Sequence, residues 1–535
     1  MTPEYKAEKA ASVSHLGGGG IWEINFVSSV APAAAFLWAI LQTRQSFFKP
    51  YTLPAAVSDF LLNCCAILFA TTVYSTGPQI LLGLLFLPAV ATLLQPAASR
   101  PKASVKPSGK DGQSSSAEQK CQALEKDPLP VKPFITMYRG AMMIITCTSI
   151  LAVDFPVFPR RFAKTEAFGT SLMDMGVGSF VFAAGMVAAR QELKEQLSQS
   201  PSMFGRLKRA SRHSVPLLAL GLMRLWSVKS VDYVEHVSEY GVHWNFFFTL
   251  GLLPFAAALL TPILRLVRLY NVFAFFWAVG YELILDLTPE LKRWIILSER
   301  KEGDWLSQNR EGVFSFLGYL AIYIAGMGIG LGILPRDSDP EEEKRKAKTA
   351  DPLDEDADWL ASILDKNKAE VDPMSVEPPP LKPSMPKTTL GVLTLSAGLW
   401  FVASVWAMWH YGPHLYVSRR MANLAYVCWV CSFNTAQLLI FCGIETIMFP
   451  NLYKAKDRET ERALTRDATS RVMQAFNRNG LALFLLANLL TGVINMTLPT
   501  WHMGNVEAMA ILVAYIATIC GVGLLLDHYD ISIKL

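Results

Sequence analysis

Two residues of this 535-residue chain, Asp154 and Lys164, have the types that can move a proton and hold charge at one place. A carboxylate can take a proton from an attacking hydroxyl, and an ammonium beside it can orient that carboxylate or stabilise charge building on a carbonyl oxygen. That is the chemistry of acyl transfer. Its competitor is a structural ion pair at a membrane boundary, and the two residues by themselves leave the readings level. They lie in the stretch Leu151 to Gly185, LAVDFPVFPRRFAKTEAFGTSLMDMGVGSFVFAAG, together with Arg160, Arg161, Glu166 and Asp174. Pro156 and Pro159 each remove an amide donor and push the preceding residue out of the helical region, so only a folded corner over residues 154–170 can bring Asp154 and Lys164 together. Ionisable groups at membrane depth cost ~2.5–3.5 kcal/mol each at a helix centre. Irregular backbone survives there only against protein or a water-filled cavity, so the corner is expected to line a cavity.

Other polar groups carry weaker signals. Arg160 and Arg161 suit bidentate contact with a phosphate, though boundary arginines also snorkel to lipid head groups. His243, beside Trp244, is either a general base or part of an interfacial aromatic belt. Arg224 sits in an apolar segment that runs into a turn bearing Asp232, Glu235, His236 and Glu239. Asn477, Arg478 and Asn479 precede a segment in which Asn488 and Asn495 follow at seven-residue spacing, a ladder for a polar head group or for hydrogen bonds between helices. Cys428-x-x-Cys431 lies in an apolar run without flanking histidines or a second pair, the pattern of buried thiols, and no metal site is expected. Neither a phosphate-binding glycine loop nor a nucleophile elbow occurs, which disfavours an ATP-driven pump.

The elements that must position these groups are membrane helices. A chain 52% hydrophobic and 18% charged is an all-α, polytopic integral membrane protein. The net charge of +4 makes no case for nucleic acid as a partner. Apolar segments near 25–43, 52–72, 76–95, 135–153, 171–189, 214–231, 244–264, 270–287, 312–333, 387–409, 421–442, 480–499 and 507–526 amount to about thirteen spans. The chain therefore divides into a flexible N-terminal segment (1–22), three spans (23–95), a disordered basic loop (96–133), spans four to nine with the catalytic corner (134–335), a disordered charged loop (336–386) and spans ten to thirteen (387–535). The first span is expected to act as its own targeting signal. Residues 190–213 form a basic segment, either on the membrane surface or solvated. Lysine and arginine are denser in the loops on one side, which is expected to put the N-terminus on the non-cytosolic side, the lumen if the membrane is that of an internal compartment, and the C-terminus in the cytosol. The corner, the turn at 232–243 and the segment 288–311 then share one face.

Four stretches, 154–182, 227–250, 309–323 and 477–495, carry a resemblance. DFPVFPRRFAKTEAFGTSLMDMGVGSFVF, SVKSVDYVEHVSEYGVHWNFFFTL, NREGVFSFLGYLAIY and NRNGLALFLLANLLTGVIN are similar to the inositol acyltransferases of glycosylphosphatidylinositol (GPI) anchor synthesis. The resemblance implies an endoplasmic reticulum enzyme of about thirteen spans that moves a fatty acyl chain, typically palmitoyl, from acyl-CoA to the inositol 2-hydroxyl of glucosaminyl-phosphatidylinositol. It places the family's catalytic pair on Asp154 and Lys164. Arg160, Arg161, Asp174, Arg224, His243, Asn309, Arg310 and Asn479 become lining of the substrate cavity. The implied partners are acyl-CoA as co-substrate, the glycolipid acceptor and membrane lipids, with no cofactor, no metal and no obligate protein partner. The rival reading, from another class, is a lipid transporter or flippase in which the buried charges form a pathway.

Overall fold

The computed structural model describes residues 3–95, 127–197, 202–230, 239–337, 388–411, 417–455 and 457–533. Among these residues helices carry the fold, and one isolated bridge joins Gly18 to Thr170. Helix α1 is Pro3–Ser12, α2 Ile21–Gln45, α3 Leu53–Thr71 and α4 Pro78–Leu94. Then follow α5 Pro133–Ala152, α6 Leu172–Leu197, α7 Met203–Ser230, α8 Phe246–Val267, α9 Tyr270–Leu287, α10 Pro289–Leu297 and α11 Trp305–Ile333. The chain closes with α12 Thr389–Tyr411, α13 Leu424–Met448, α14 Arg458–Asp467, α15 Arg471–Arg478, α16 Gly480–Thr497 and α17 Asn505–His528.

Among the described residues eleven of these helices are long and apolar enough to cross a membrane, so the all-α polytopic architecture stands, with eleven spans found where about thirteen are expected. Of the two segments that fall short, α4 has only 17 residues. The other, expected at 214–231, is the second half of α7, whose helix starts inside the basic segment and carries Arg206, Lys208, Arg209, Arg212 and Arg224.

Helix α6 packs along α11 through small residues. A side chain on Gly185 would run into the carbonyl of Tyr323, and one on Gly326 into the carbonyl of Phe182. Backbones this close gain dispersion contacts that replace the hydrophobic drive absent between helices in lipid. Gly178 has the same use against Val430, whereas Gly176 meets nothing within 4 Å and faces a cavity instead. The outer surface exposes Leu87, Leu399, Val402, Leu489 and Met496, the apolar face a bilayer covers. In α3 a π-helical turn at Leu61–Cys65 accompanies an inward polar face: Asp59 is fully buried and accepts from Tyr51 (3.0 Å), Asn63 (2.7 Å) and Ser470 (2.7 Å).

Three boundaries differ from the sequence reading. The N-terminal segment, expected to be a flexible lead-in, forms α1 and docks: Tyr5 is buried and its hydroxyl accepts from the amide of Trp501 at 3.0 Å. The glycine run then lies along the corner, where Gly19 donates to the Thr170 carbonyl (2.8 Å) from backbone that Gly18 turns with a φ of 79°. The edges of the two long loops are also fixed, since Lys132 bonds Thr389 (2.6 Å) and Asp337 (3.3 Å) and Arg336 bonds Glu461 (2.7 Å). The remainder of the expected disorder, with Asp232, Glu235 and His236, lies outside the described residues.

Candidate functional site

A cavity of about 1160 Å³ runs between α5, α6, α7, α8 and α16. Asp154, Lys164, Glu166, Arg224 and Glu239 line one end, and Arg190, Arg206, Arg209, His213 and Arg478 line the other. Asp174 and Arg190 sit near opposite ends of α6, and sixteen residues of helix separate them by about 24 Å. Ile150, Val177, Phe180, Val187, Leu250 and Phe484 form an apolar waist between the two polar ends. The space is large enough for a long chain, and it reaches both faces of the helix layer.

The corner that begins this cavity is made by Arg160. Helix α5 ends at Ala152, and the prolines forbid its continuation. Arg160 folds back and donates to the carbonyls of Val153 (2.8 Å), Phe155 (2.8 Å) and Phe158 (2.8 Å), all in the stretch where the helix is interrupted. Its guanidinium also lies over the Trp501 ring, 5.1 Å from the centroid. Phe155, Phe158 and Phe162 fill the space beneath and are fully buried.

Asp154 faces the cavity with both oxygens engaged. Lys9 of α1 lies 2.9 Å from Oδ1, and Asn495 of α16 donates to Oδ2 at 2.8 Å. Lys164 also lines the cavity, but its ammonium pairs with Glu239 at 2.9 Å and not with Asp154. The expectation that Lys164 orients Asp154 is therefore corrected: the cation on that carboxylate comes from the N-terminal helix. Burial pushes the Glu239 carboxyl up, yet the charges of Lys164, Arg419 and Arg224 outweigh it and hold the group at about 2. Behind this pair, Arg419 donates from Nε to Asp174 at 2.6 Å, and both side chains are buried. Asp174 takes two further bonds, from the Thr165 amide (3.1 Å) and hydroxyl (2.6 Å), so it ties the corner to the loop before α13.

Of the ten expected site residues, Asp154, Lys164 and Arg224 line the cavity. The others support it from outside. Arg160 is spent on the corner, and Arg161 pairs with Glu23 at 2.6 Å, so neither is placed to grip a phosphate there. Asp174 is the buried partner of Arg419. His243 is anchored through its amide, which donates to Asn309 Oδ1 at 2.8 Å; the Trp244 amide donates to the same oxygen at 2.9 Å. Asn309 breaks the helical path of α11 to do so, with φ −122° and ψ 19°. Arg310 is buried and caps α10 through the carbonyls of Ile295 (3.1 Å) and Ser298. Asn479 holds the C-terminal strand of chain, donating to Ile531 O (3.1 Å) and accepting from Ile533 N (2.9 Å).

These contacts bring together the corner, the turn ending at His243 and the first turns of α11, three of the polar stretches expected to share one face. The residues that sequence reasoning missed are Lys9 and Arg419. Both lie outside the apolar runs, and nothing local distinguishes them from other surface cations.

Residues 190–197 and 203–213, expected as a basic segment on the membrane surface or a solvated loop, are helical, and they line the far end with Phe204 exposed on the outside. Helices α6 and α7 enclose it, with Glu195 held between Arg206 (3.6 Å) and Arg209, and Glu192 held by Arg265 at 2.6 Å. Arg139 of α5 also faces the cavity, and its buried Nε has no hydrogen-bond partner among the described residues. This end carries more arginine than carboxylate, a setting for an anion. Residues 5–526 match the model of the GWT1 family. The chain is similar to the GPI-anchored wall transfer protein 1 of Aspergillus oryzae, at 46% identity over 537 residues and 100% of both chains. Similarity to the protein of that name from Emericella nidulans is 47% over 540 residues and 100% of both. For the one from Yarrowia lipolytica it is 38% over 534 residues and 99% of both.

Proposed function

We infer the function from the premise that this chain belongs to the GWT1 family: it is a multi-pass membrane acyltransferase of GPI-anchor biosynthesis. It moves a fatty acyl group, palmitoyl, from acyl-CoA to the inositol 2-hydroxyl of glucosaminyl-phosphatidylinositol in the endoplasmic reticulum membrane. The observation that carries this reading is Asp154, a carboxylate presented to a cavity that has an apolar waist and an arginine-rich far end.

Asp154 accepts the inositol proton as the oxygen attacks the thioester carbon. The tetrahedral intermediate collapses with departure of the CoA sulfur, which takes the proton back from Asp154, and the new ester leaves with the glycolipid. Lys164 points an ammonium into the same end, where charge growing on the carbonyl oxygen would be stabilised. The pantetheine arm of the donor spans the waist, with the acyl chain against its apolar wall. The phosphates of the donor rest among Arg139, Arg190 and Arg209 at the far end, so a donor made in the cytosol can reach a reaction centre near the lumen. This arrangement agrees with a lumenal N-terminus. Holding both reactants in one cavity removes part of the entropic barrier.

The reach of the cavity toward both faces also favours the rival reading, a lipid transporter. Microsomes from cells without their own enzyme decide between them. Labelled palmitoyl-CoA and glucosaminyl-phosphatidylinositol should give acylated inositol with the wild-type chain and none with Asp154→Ala or Lys164→Ala at matched levels. Folded wild-type protein that makes no product would overturn the acyltransferase reading.

A further inference from the structure

Lys9 belongs to a segment whose sequence, PEYKAEKAAS, signals nothing beyond a short polar helix. Its ammonium nevertheless meets three acceptors: Asp154 Oδ1 at 2.9 Å, Asn495 Oδ1 at 3.0 Å and Thr500 Oγ1 at 3.1 Å. An ammonium has three N–H donors, so every one of them is used. Asn495 in turn donates its amide to Asp154 Oδ2 at 2.8 Å. Lys9, Asp154 and Asn495 thus close a ring in which each member bonds the other two.

The ring stands behind the cavity, since Asp154 lines it and neither Lys9 nor Asn495 does. Both carboxylate oxygens are therefore gripped from the back and aimed forward. Three anchors fix the helix that supplies the lysine: Tyr5 under Trp501 (3.0 Å), Glu8 on His502 (2.9 Å) and the His15 amide on Glu166 (2.8 Å).

We propose that Lys9 is a positioning residue for the reaction, one that holds the Asp154 carboxylate oriented toward the acceptor hydroxyl, with Asn495 fixing its second oxygen. This rests on the acyltransferase reading above. Of the charged and titratable groups near Asp154, Lys9 from α1 touches it, Arg160 from the corner and Tyr515 from α17 lie close, and Lys164, Glu166, Arg224 and Glu239 share its end of the cavity. Arg160 is committed to backbone carbonyls, so Lys9 is the cation in direct contact. Without Lys9 the carboxylate keeps Asn495 as its one side-chain hydrogen-bond partner among the described residues and can turn away from the acceptor hydroxyl, which costs alignment of the reacting groups.

The test uses the full-length protein in detergent with palmitoyl-CoA and glucosaminyl-phosphatidylinositol, assayed at pH 7 at matched amounts of folded protein. Lys9→Met should lower kcat at least about tenfold and leave both KM values within about twofold. Lys9→Arg should restore most of the rate. Glu8→Gln, which loosens the same helix at His502 without touching Asp154, should leave kcat within about twofold. The proposal fails if Lys9→Met keeps the wild-type kcat, if its loss falls on KM, or if Lys9→Arg shares the full loss of kcat. Wild-type protein without product removes the acyl-transfer reading and this proposal with it, whereas an active wild type with an indifferent Lys9 overturns this proposal alone.

Discussion

Replacing Asp174 by Asn changes one atom and isolates one charge. In the native protein Arg419 reaches Asp174 at 2.6 Å with both side chains out of contact with solvent. Burial alone disfavours the Arg419 cation, but Glu239 and Asp174 together raise it well above the ordinary arginine value, so it stays charged. Removing one partner of a buried pair costs about 3–5 kcal/mol, because the other charge is left without compensation. Here the cost falls at the low end of that range. Glu239 remains 3.9 Å from Arg419, and the Asn side-chain oxygen can still accept from Thr165. At ~2.1 cal/mol/K per residue for the unfolding entropy, a loss of about 3 kcal/mol in 535 residues lowers the melting temperature by about 3 °C. Intrinsic fluorescence of the detergent-solubilised protein reads this shift. Arg419→Met should destabilise similarly, and the double variant should lose less than the two singles added, since the interaction is removed once. A melting temperature for Asp174→Asn indistinguishable from wild type, or strict additivity in the double variant, would refute the claim that this pair holds the corner.

Four further outcomes are expected. Gly326→Leu should abolish recovery of monodisperse protein, whereas Gly176→Ala, which opens onto free space, should be tolerated in size-exclusion chromatography. The Glu239 carboxyl is lowered from 4.5 to about 2, so the pair with Lys164 gives its full stabilisation above about pH 4.5 and loses it as the pH falls toward 2. Activity between pH 5 and 8 should therefore not depend on titration of Glu239, and Glu239→Gln should lower the rate evenly across that range. Arg139→Ala should raise the KM for palmitoyl-CoA several-fold with a smaller effect on that for the glycolipid, measured by varying each substrate in turn.

The sequence by itself determined the architecture and marked the corner. Eleven apolar helices appear where hydropathy puts them, because a span in lipid must satisfy its backbone internally whatever its neighbours are. The DFPVFPRR run was legible as a corner for a similar reason: proline acts on its own backbone, with no need of tertiary partners. Side-chain partnership was not legible. Arg160 and Arg161 read as phosphate ligands, and the fold spends the first on the corner's carbonyls and the second on Glu23. Asn309 and Arg310 read as cavity lining and instead fix a turn and cap a helix. Lys164 and Asp154 lie ten residues apart yet take different partners, while Asp154 finds its cation 145 positions away in Lys9. Local sequence carries propensity and polarity, which fix where helices run and where charge must hide. Which charge meets which is set by the packing of helices remote in the chain, and that information exists only in the folded protein.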